Sequence, residues 1–384
     1  MVRKFSKLLF WFVIVSLIFS VSVYAEDEKL ECGQEYLEML DSLPDEVSDL
    51  LPEKLFSDNI EDITEGAKEA LDFNNIVGAI VSQLGLKLKS ILKMSALILG
   101  ILILSSVLNS AKSSFSSEGV SMAFSTLSAC ALFLSAIGYQ LSIIQSVSDF
   151  FIRICLFTNT LVPLMGALYA MGGNVATAVV NHSSLVIFMS IVENFCSKSA
   201  IAITGICIAF ASVSAIMSEI SIGSISAFFK KTYTQGLGFF MSIFVTVMGA
   251  QSLIAGRADT LAGKAAKFAV GNLIPTVGSA LAGTLGTVGG SVEYIRASIG
   301  TVGIVAIILM LAPTLITLIL AKFAFGLLEG AADILGCSTE KKVISELSSI
   351  NGFLLAVSAI CSVCLIFIMA MFAKCSAAAG GGGI

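Results

Sequence analysis

Residues 262–290 read AGKAAKFAVGNLIPTVGSALAGTLGTVGG, an apolar run interrupted by two lysines, one proline and a glycine every few positions. Three readings compete: a phosphate-binding loop, a membrane span, and a segment that enters a membrane without crossing it in the ordinary way. A Walker A loop needs G-x-x-x-x-G-K-[ST], so that backbone amides cradle phosphates and the hydroxyl meets magnesium. The nearest approach here, GRADTLAGKA from Gly256, puts six residues between the glycines and Ala265 where the hydroxyl belongs. No G-x-G-x-x-G occurs in the stretch either, since Gly283, Gly286 and Gly289 are spaced by three. The nucleotide reading fails on spacing. Gly286 and Gly290 instead form a G-x-x-x-G pair, flanked by Ala280, Ala282 and Thr287. Small residues of this kind let helix backbones approach closely where lipid supplies no hydrophobic drive. Pro275 removes an amide and disfavours helix at Ile274. Such a Pro-broken segment suits tight helix packing, and equally a re-entrant element whose backbone is covered by protein or by a water-filled path.

Composition favours the membrane. Of 384 residues, 56% are hydrophobic and only 13% charged, and the mean hydropathy is +0.95. Soluble domains carry about 25% charged residues, so this chain has too little polar surface to face water throughout. An all-α, polytopic membrane bundle is expected. The net charge of −5 is divided unevenly: residues 26–72 hold 17 Asp or Glu against three Lys, and the remainder is mildly basic. No clustered Lys and Arg resemble a nucleic-acid footprint. Most of the nine cysteines lie in apolar runs, where a thiol behaves as a small hydrophobe. Cys361-Ser-Val-Cys364 has C-x-x-C spacing but sits mid-span with no βαβ pattern around it.

The N-terminus carries Arg3, Lys4 and Lys7, an apolar core from Leu8 to about Val21, and Val23-Tyr24-Ala25 before an acidic switch. This pattern predicts a signal peptide over 1–25, cleaved after Ala25. Residues 26–75 then form an acidic extracytoplasmic segment of short amphipathic helices, broken at Pro44 and Pro52. The run 76–93 places Ile76, Ile80, Val81, Leu84, Leu88 and Leu92 at helical spacing, with Lys87, Lys89 and Lys93 toward its end, as in a helix lying in the interface. Residues 94–373 form the polytopic domain. With charges taken as fences, about eight spans are expected, plus the Gly-rich, Pro-broken segment 268–292. Gly172-Gly173-Asn174 divides one long stretch into two spans. Residues 374–384 are a Gly-rich tail.

No constellation in the chain promises bond chemistry, metal binding or a cofactor. His182 is the single histidine, too few for a multi-histidine zinc site. Neighbouring Ser183 and Ser184 point to other helix faces. Glu193 and Lys198 lie five apart at a span boundary. Placed at mid-bilayer, such a charge costs roughly 2.5–3.5 kcal/mol on insertion scales. Because each sits where a span can end, a solvated boundary is the simpler reading of that pair, and a satisfied polar residue near a helix break is the simpler reading of His182. Under the alternative, His182 and Glu193 are the intramembrane polar candidates.

Beyond these residue-level readings, KAAKFAVGNLIPTVGSAL (264–281), IRASIGTVGIVAIILMLAPTLITLILAKFAFGLLEGAADILG (295–336) and the upstream YTQGLGFFMSIFVTVMGAQSLIAGRADTLAGK (233–264) resemble the stage III sporulation protein AE family of endospore-forming bacteria. The signal peptide, acidic segment and polytopic body follow the same layout. The Gly-rich tail does not. The resemblance implies a non-enzymatic subunit of a channel complex in the mother-cell-derived membrane around the forespore. Its implied partners are other stage III membrane proteins, among them a separate ATPase and a forespore-side partner. No catalytic, cofactor or metal residue carries over. Lys264, Lys267, Phe268, Pro275, Gly278, Gly286 and Gly290 would define a packing core. The competing expectation is a stand-alone proton-coupled secondary transporter, with the broken segment as substrate site and Glu193 or His182 as proton carrier.

Overall fold

The computed structural model describes residues 34–57, 60–70, 72–111, 118–216, 223–273 and 278–374, and among them the secondary structure is helical throughout. Four short helical pieces come first: α1 (Gln34–Asp41), α2 (Asp45–Ser48), a 3₁₀ turn (Glu53–Phe56) and α3 (Ile60–Ala70). Long helices follow: α4 (Phe73–Ala111), α5 (Glu118–Met171), α6 (Val175–Ile191), a π-helical segment (Val192–Ser199), α7 (Ala200–Ile216), α8 (Gly223–Leu273), α9 (Gly278–Ile334) and α10 (Ser338–Lys374). The expected signal peptide, the tail beyond Lys374 and Pro275 lie outside the described residues.

Among the described residues, six helices are long and apolar enough to cross a bilayer: Lys87–Leu108, Met122–Met171, Val175–Ile216, Gly223–Ala266, Ser298–Ile334 and Ser338–Met371. The eight apolar stretches of the sequence are thus carried, among the described residues, by six continuous helices. Asp149 and Arg153 do not interrupt α5, and Glu193 and Lys198 do not interrupt the run from α6 through α7. A charge ends a span only where the backbone also ends, and an exposed charged side chain leaves the i→i+4 ladder intact. The chain turns instead where glycine allows it. Gly173 and Gly336 have φ of 74° and 69°, left-handed values that a side chain disfavours. At each, an amide beyond the glycine closes the helix end: Asn174 donates to the Tyr169 carbonyl and Cys337 to that of Ala332, both at 2.9 Å. The α6–α7 run stays helical by widening at its centre into the π segment, where Ser199 Oγ donates to the Asn194 carbonyl five residues back at 2.8 Å.

The predicted interfacial helix and first span form one helix, α4. The acidic segment has its own core and is packed on the bundle. Tyr36, Met39, Leu40 and Leu55 are at most 1% exposed, and Tyr36 Oη donates to the Leu55 carbonyl at 2.9 Å. Ser42 Oγ meets Thr160 Oγ1 of α5 at 3.1 Å, and Thr64 Oγ1 meets Ser298 Oγ of α9 at 3.2 Å. We call this unit the cap.

Helix α10 is the axis of the bundle. It pairs with α9 through the Gly336 turn and also touches α5, α7 and α8. Its inward face runs through Glu340, Leu347, Asn351, Leu354, Ser358, Cys361 and Leu365, none more than 1% exposed. The steps of seven, four and three are those of a helix keeping one seam against its neighbours. At Gly303 of α9, an added Cβ would come within 2.9 Å of Met369 Cε and 3.8 Å of Leu161 Cδ1, so α9, α10 and α5 meet there at the distance a missing side chain permits.

Candidate functional site

Apart from Pro275, the residues singled out from sequence lie on α6, the π segment, the end of α8 and the start of α9. Lys264 is exposed on α8 and Phe268, further along it, is 72% exposed. Lys267 lies on the same helix, Gly278 is the first residue of α9, and Gly286 and Gly290 follow on its early turns. The Gly-rich stretch is therefore the end of one helix and the start of the next, on either side of residues 274–277. His182 is exposed on α6. Glu193 is exposed too, paired with Lys198 at 2.8 Å across the π segment. Above that pair, Tyr233 Oη donates to the Phe195 carbonyl, and the Tyr233 ring lies edge-on to Phe353 of α10 at 5.7 Å.

The fold also places three carboxylates at helix N-termini: Asp259 and Glu340 are buried and Glu346 is partly buried. Four amides there lack intrahelical acceptors, and the macrodipole favours negative charge. Asp259 of α8, 6% exposed, accepts the amides of Ala176 and Thr177 at 2.9 and 2.7 Å. It thereby holds the first turn of α6 against α8. Glu346 of α10 lies over the first turn of α8. It accepts from Ser226 Oγ and from Lys230 Nζ, both at 3.1 Å. A Cβ on Gly223 would fall 2.5 Å from Glu346 Oε1, so a side chain there would push the carboxylate aside. The Lys230 and Glu346 side chains are 6% and 15% exposed, the most buried ion pair among the described residues. Glu340, 1% exposed in the first turn of α10, accepts from Ser105 of α4 and Ser128 of α5.

Farther along the α10 seam, Gln140 Nε2 of α5 donates to Asn351 Oδ1 at 2.8 Å. Among the described residues, Gln140 Oε1, Asn351 Nδ2 and Ser358 Oγ have no hydrogen-bond partner. One side of this amide pair is satisfied and the other is left in an apolar layer, an arrangement whose net contribution is small. Cys361 and Cys364 are buried free thiols, Cys361 within hydrogen-bonding reach of Cys196. Among the described residues no group of three His, Cys, Asp or Glu is placed to hold a metal ion. On the cap, Lys54 pairs with Glu65 at 3.2 Å and Glu69 at 3.7 Å. The hydrogen bond to Glu65 raises its ammonium above the ordinary lysine value.

Sequence reasoning missed these carboxylates for a simple reason. Asp259 stands inside the quoted GRADTLAGKA, but its partners are backbone amides some eighty positions away, which leave no signature in composition. Glu346 and Lys230 each stand next to an apolar stretch and read singly as solvated boundary charges. Only their 116-residue separation folded to 3.1 Å makes them a pair.

These features define a multi-pass, all-α membrane protein whose helices are tied together by buried acid–amide and acid–lysine contacts. The family model for stage III sporulation protein AE matches residues 55–378, and the chain belongs to that family. The curated stage III sporulation protein AE of Bacillus subtilis (strain 168) is 24% identical over 208 residues. That match covers 52% of this chain and 49% of the relative, so it spans about half the length of each. No solved structure matches. The chain is a sporulation-related membrane protein.

Proposed function

We propose that this chain is a non-enzymatic subunit of the channel complex between mother cell and forespore, acting as a rigid membrane platform on which other stage III proteins assemble. The observation that carries the reading is the docking of the cap. The acidic segment is one packed body with the membrane helices, joined through Ser42–Thr160 and Thr64–Ser298. A fixed polar surface beyond the membrane suits assembly better than a substrate path that must open and close. The three carboxylates fit the same reading, because each is occupied in holding a helix end. With the expected signal peptide, the cap stands on the extracytoplasmic side of the mother-cell-derived membrane, facing the forespore partner. The ATPase then works from the opposite face.

The experiment is to unseat the cap without touching the bundle. Leu55→Asp places a charge in the cap core, where Leu55 is fully buried. Membrane insertion is expected to persist, while spore formation and co-purification of the other stage III proteins are lost. Normal sporulation with Leu55→Asp and with Tyr36→Ala overturns the platform reading. So does proton-driven solute uptake by the purified chain in liposomes, which would make it a transporter.

A further inference from the structure

The far end of α8 carries an exposed stripe that is both basic and apolar. Ile254, Arg257, Leu261 and Lys264 follow one another at steps of three, four and three, so they line one helix face. Ile254 and Leu261 are each 69% exposed, Arg257 and Lys264 are exposed, and residues 261–266 are exposed on every side. Neither Arg257 nor Lys264 forms an ion pair among the described residues.

This stripe lies outside the hydrocarbon. After Lys230 and Lys231, α8 has no charged residue until Arg257. At 1.5 Å per residue that interval is about 39 Å, against a hydrocarbon thickness of about 30 Å. The helix has therefore crossed by Arg257, and Lys264 stands about 10 Å further out. The cap lies beyond the same membrane face. Asp259 binds the first turn of α6, just past the Gly173 turn at the end of α5. The cap rests on the C-terminal third of that same α5, at Thr160.

The cap is complementary to the stripe. Asp49, in the turn after α2, and Glu53, in the 3₁₀ turn, are exposed acids on its surface, and Phe56 of the same 3₁₀ turn is 40% exposed. Glu38 and Asp41 add exposed negative charge nearby. An anionic lipid surface would also attract Arg257 and Lys264, but the acidic cap at the same membrane face repels such a surface. A protein face that is both acidic and apolar matches a stripe that is both basic and apolar.

We propose that the Ile254–Lys264 stripe of one copy docks on the Asp49–Phe56 face of the cap of a second copy. The two patches differ, so the contact is heterologous. Each copy keeps one stripe and one cap free to add a further neighbour, giving a ring if the rotation closes and a filament if it does not.

The test uses the full chain, in membranes of a host that makes no other sporulation protein. A benzophenone amino acid replacing Leu261 is photolysed in place. The expected product is a chain-to-chain adduct at twice 40.2 kDa, with the attachment mapped by mass spectrometry to residues 38–56 of the second chain. The adduct should fall about tenfold or more in R257E/K264E, and likewise in D49K/E53K, as like charges then face each other. Combining the four changes should restore it, which also shows that the separate variants fold. Attachment to lipid only, or within one chain only, overturns the proposal. So does an adduct that survives charge reversal, or one that the combined variant fails to restore.

Discussion

The α9–α10 hairpin and the four other candidate spans are all strongly apolar, the hairpin most of all, and they occupy different places. Just over half of each hairpin span, 56%, is buried inside the protein, against 28–33% for the others. In water such a contrast would be read from hydrophobicity alone. In lipid an exposed Leu134 or Phe323, at 70% and 65%, costs nothing, because the tails are as apolar as the core. What places α10 at the centre is the pattern of small and polar groups on one seam, Glu340, Asn351, Ser358 and Cys361, and the close approach allowed by Gly303. In this fold the most apolar spans are also the most buried, and polar contacts and missing side chains fix how they meet their neighbours.

The sharpest way to break that contrast is to remove one partner of the buried pair joining α10 to the periphery. Glu346→Gln leaves Lys230 buried without its counter-charge, and a loss of about 3–5 kcal/mol is expected in reversible unfolding of the detergent-solubilised protein. Replacing both residues, as in Lys230→Met with Glu346→Leu, should recover most of that loss. Next in size is Asp259→Ala, which removes two charge-assisted hydrogen bonds at about 1.5–3 kcal/mol. The loss should be visible as faster amide exchange at the start of α6, and unchanged exchange at Ala176 and Thr177 would show that Asp259 holds nothing there. Gly303→Ala is expected to cost about 1 kcal/mol, the lower end for overpacking, since the flexible end of Met369 can give way. Smallest of all, Gln140→Leu combined with Asn351→Leu should change stability by less than about 1 kcal/mol, and in the stabilising direction, because it removes one hydrogen bond and two unpaired atoms together. A large loss from that double change would mean the amide pair is needed for more than packing.

The helical class, the multi-pass character and the acidic unit before the membrane were legible in the sequence, because apolar runs and local charge suffice for them. The number of helices was not. Asp149, Arg153, Glu193 and Lys198 look like fences in one dimension, but a side chain that reaches solvent does not interrupt backbone hydrogen bonds. The cap's amphipathic spacing was visible at Tyr36 and Leu40. Its seating on the bundle was not, because Ser42 and Thr64 are unremarkable hydroxyls until the chain brings Thr160 and Ser298 to them. The Gly-rich stretch drew attention for its composition, and the acids Asp259, Glu340 and Glu346, single letters in ordinary surroundings, did not.

The π segment has a consequence for how the longest stretches stay in phase. From Phe188 the buried positions step by four, through Val192, Cys196, Ala200 and Thr204. In a regular helix each such step overshoots a full turn by about 40°, so four would swing the inward face roughly 160° toward lipid. The wider turn at 192–199 absorbs much of that drift and keeps one buried face in phase from Thr177 to Ala215. The segment therefore works as a phase corrector, and its integrity is a matter of chain length rather than chemistry. Removing any one residue between Val192 and Ser199, whatever its side chain, should turn the whole of α7 away from its neighbours, while most substitutions there leave it aligned.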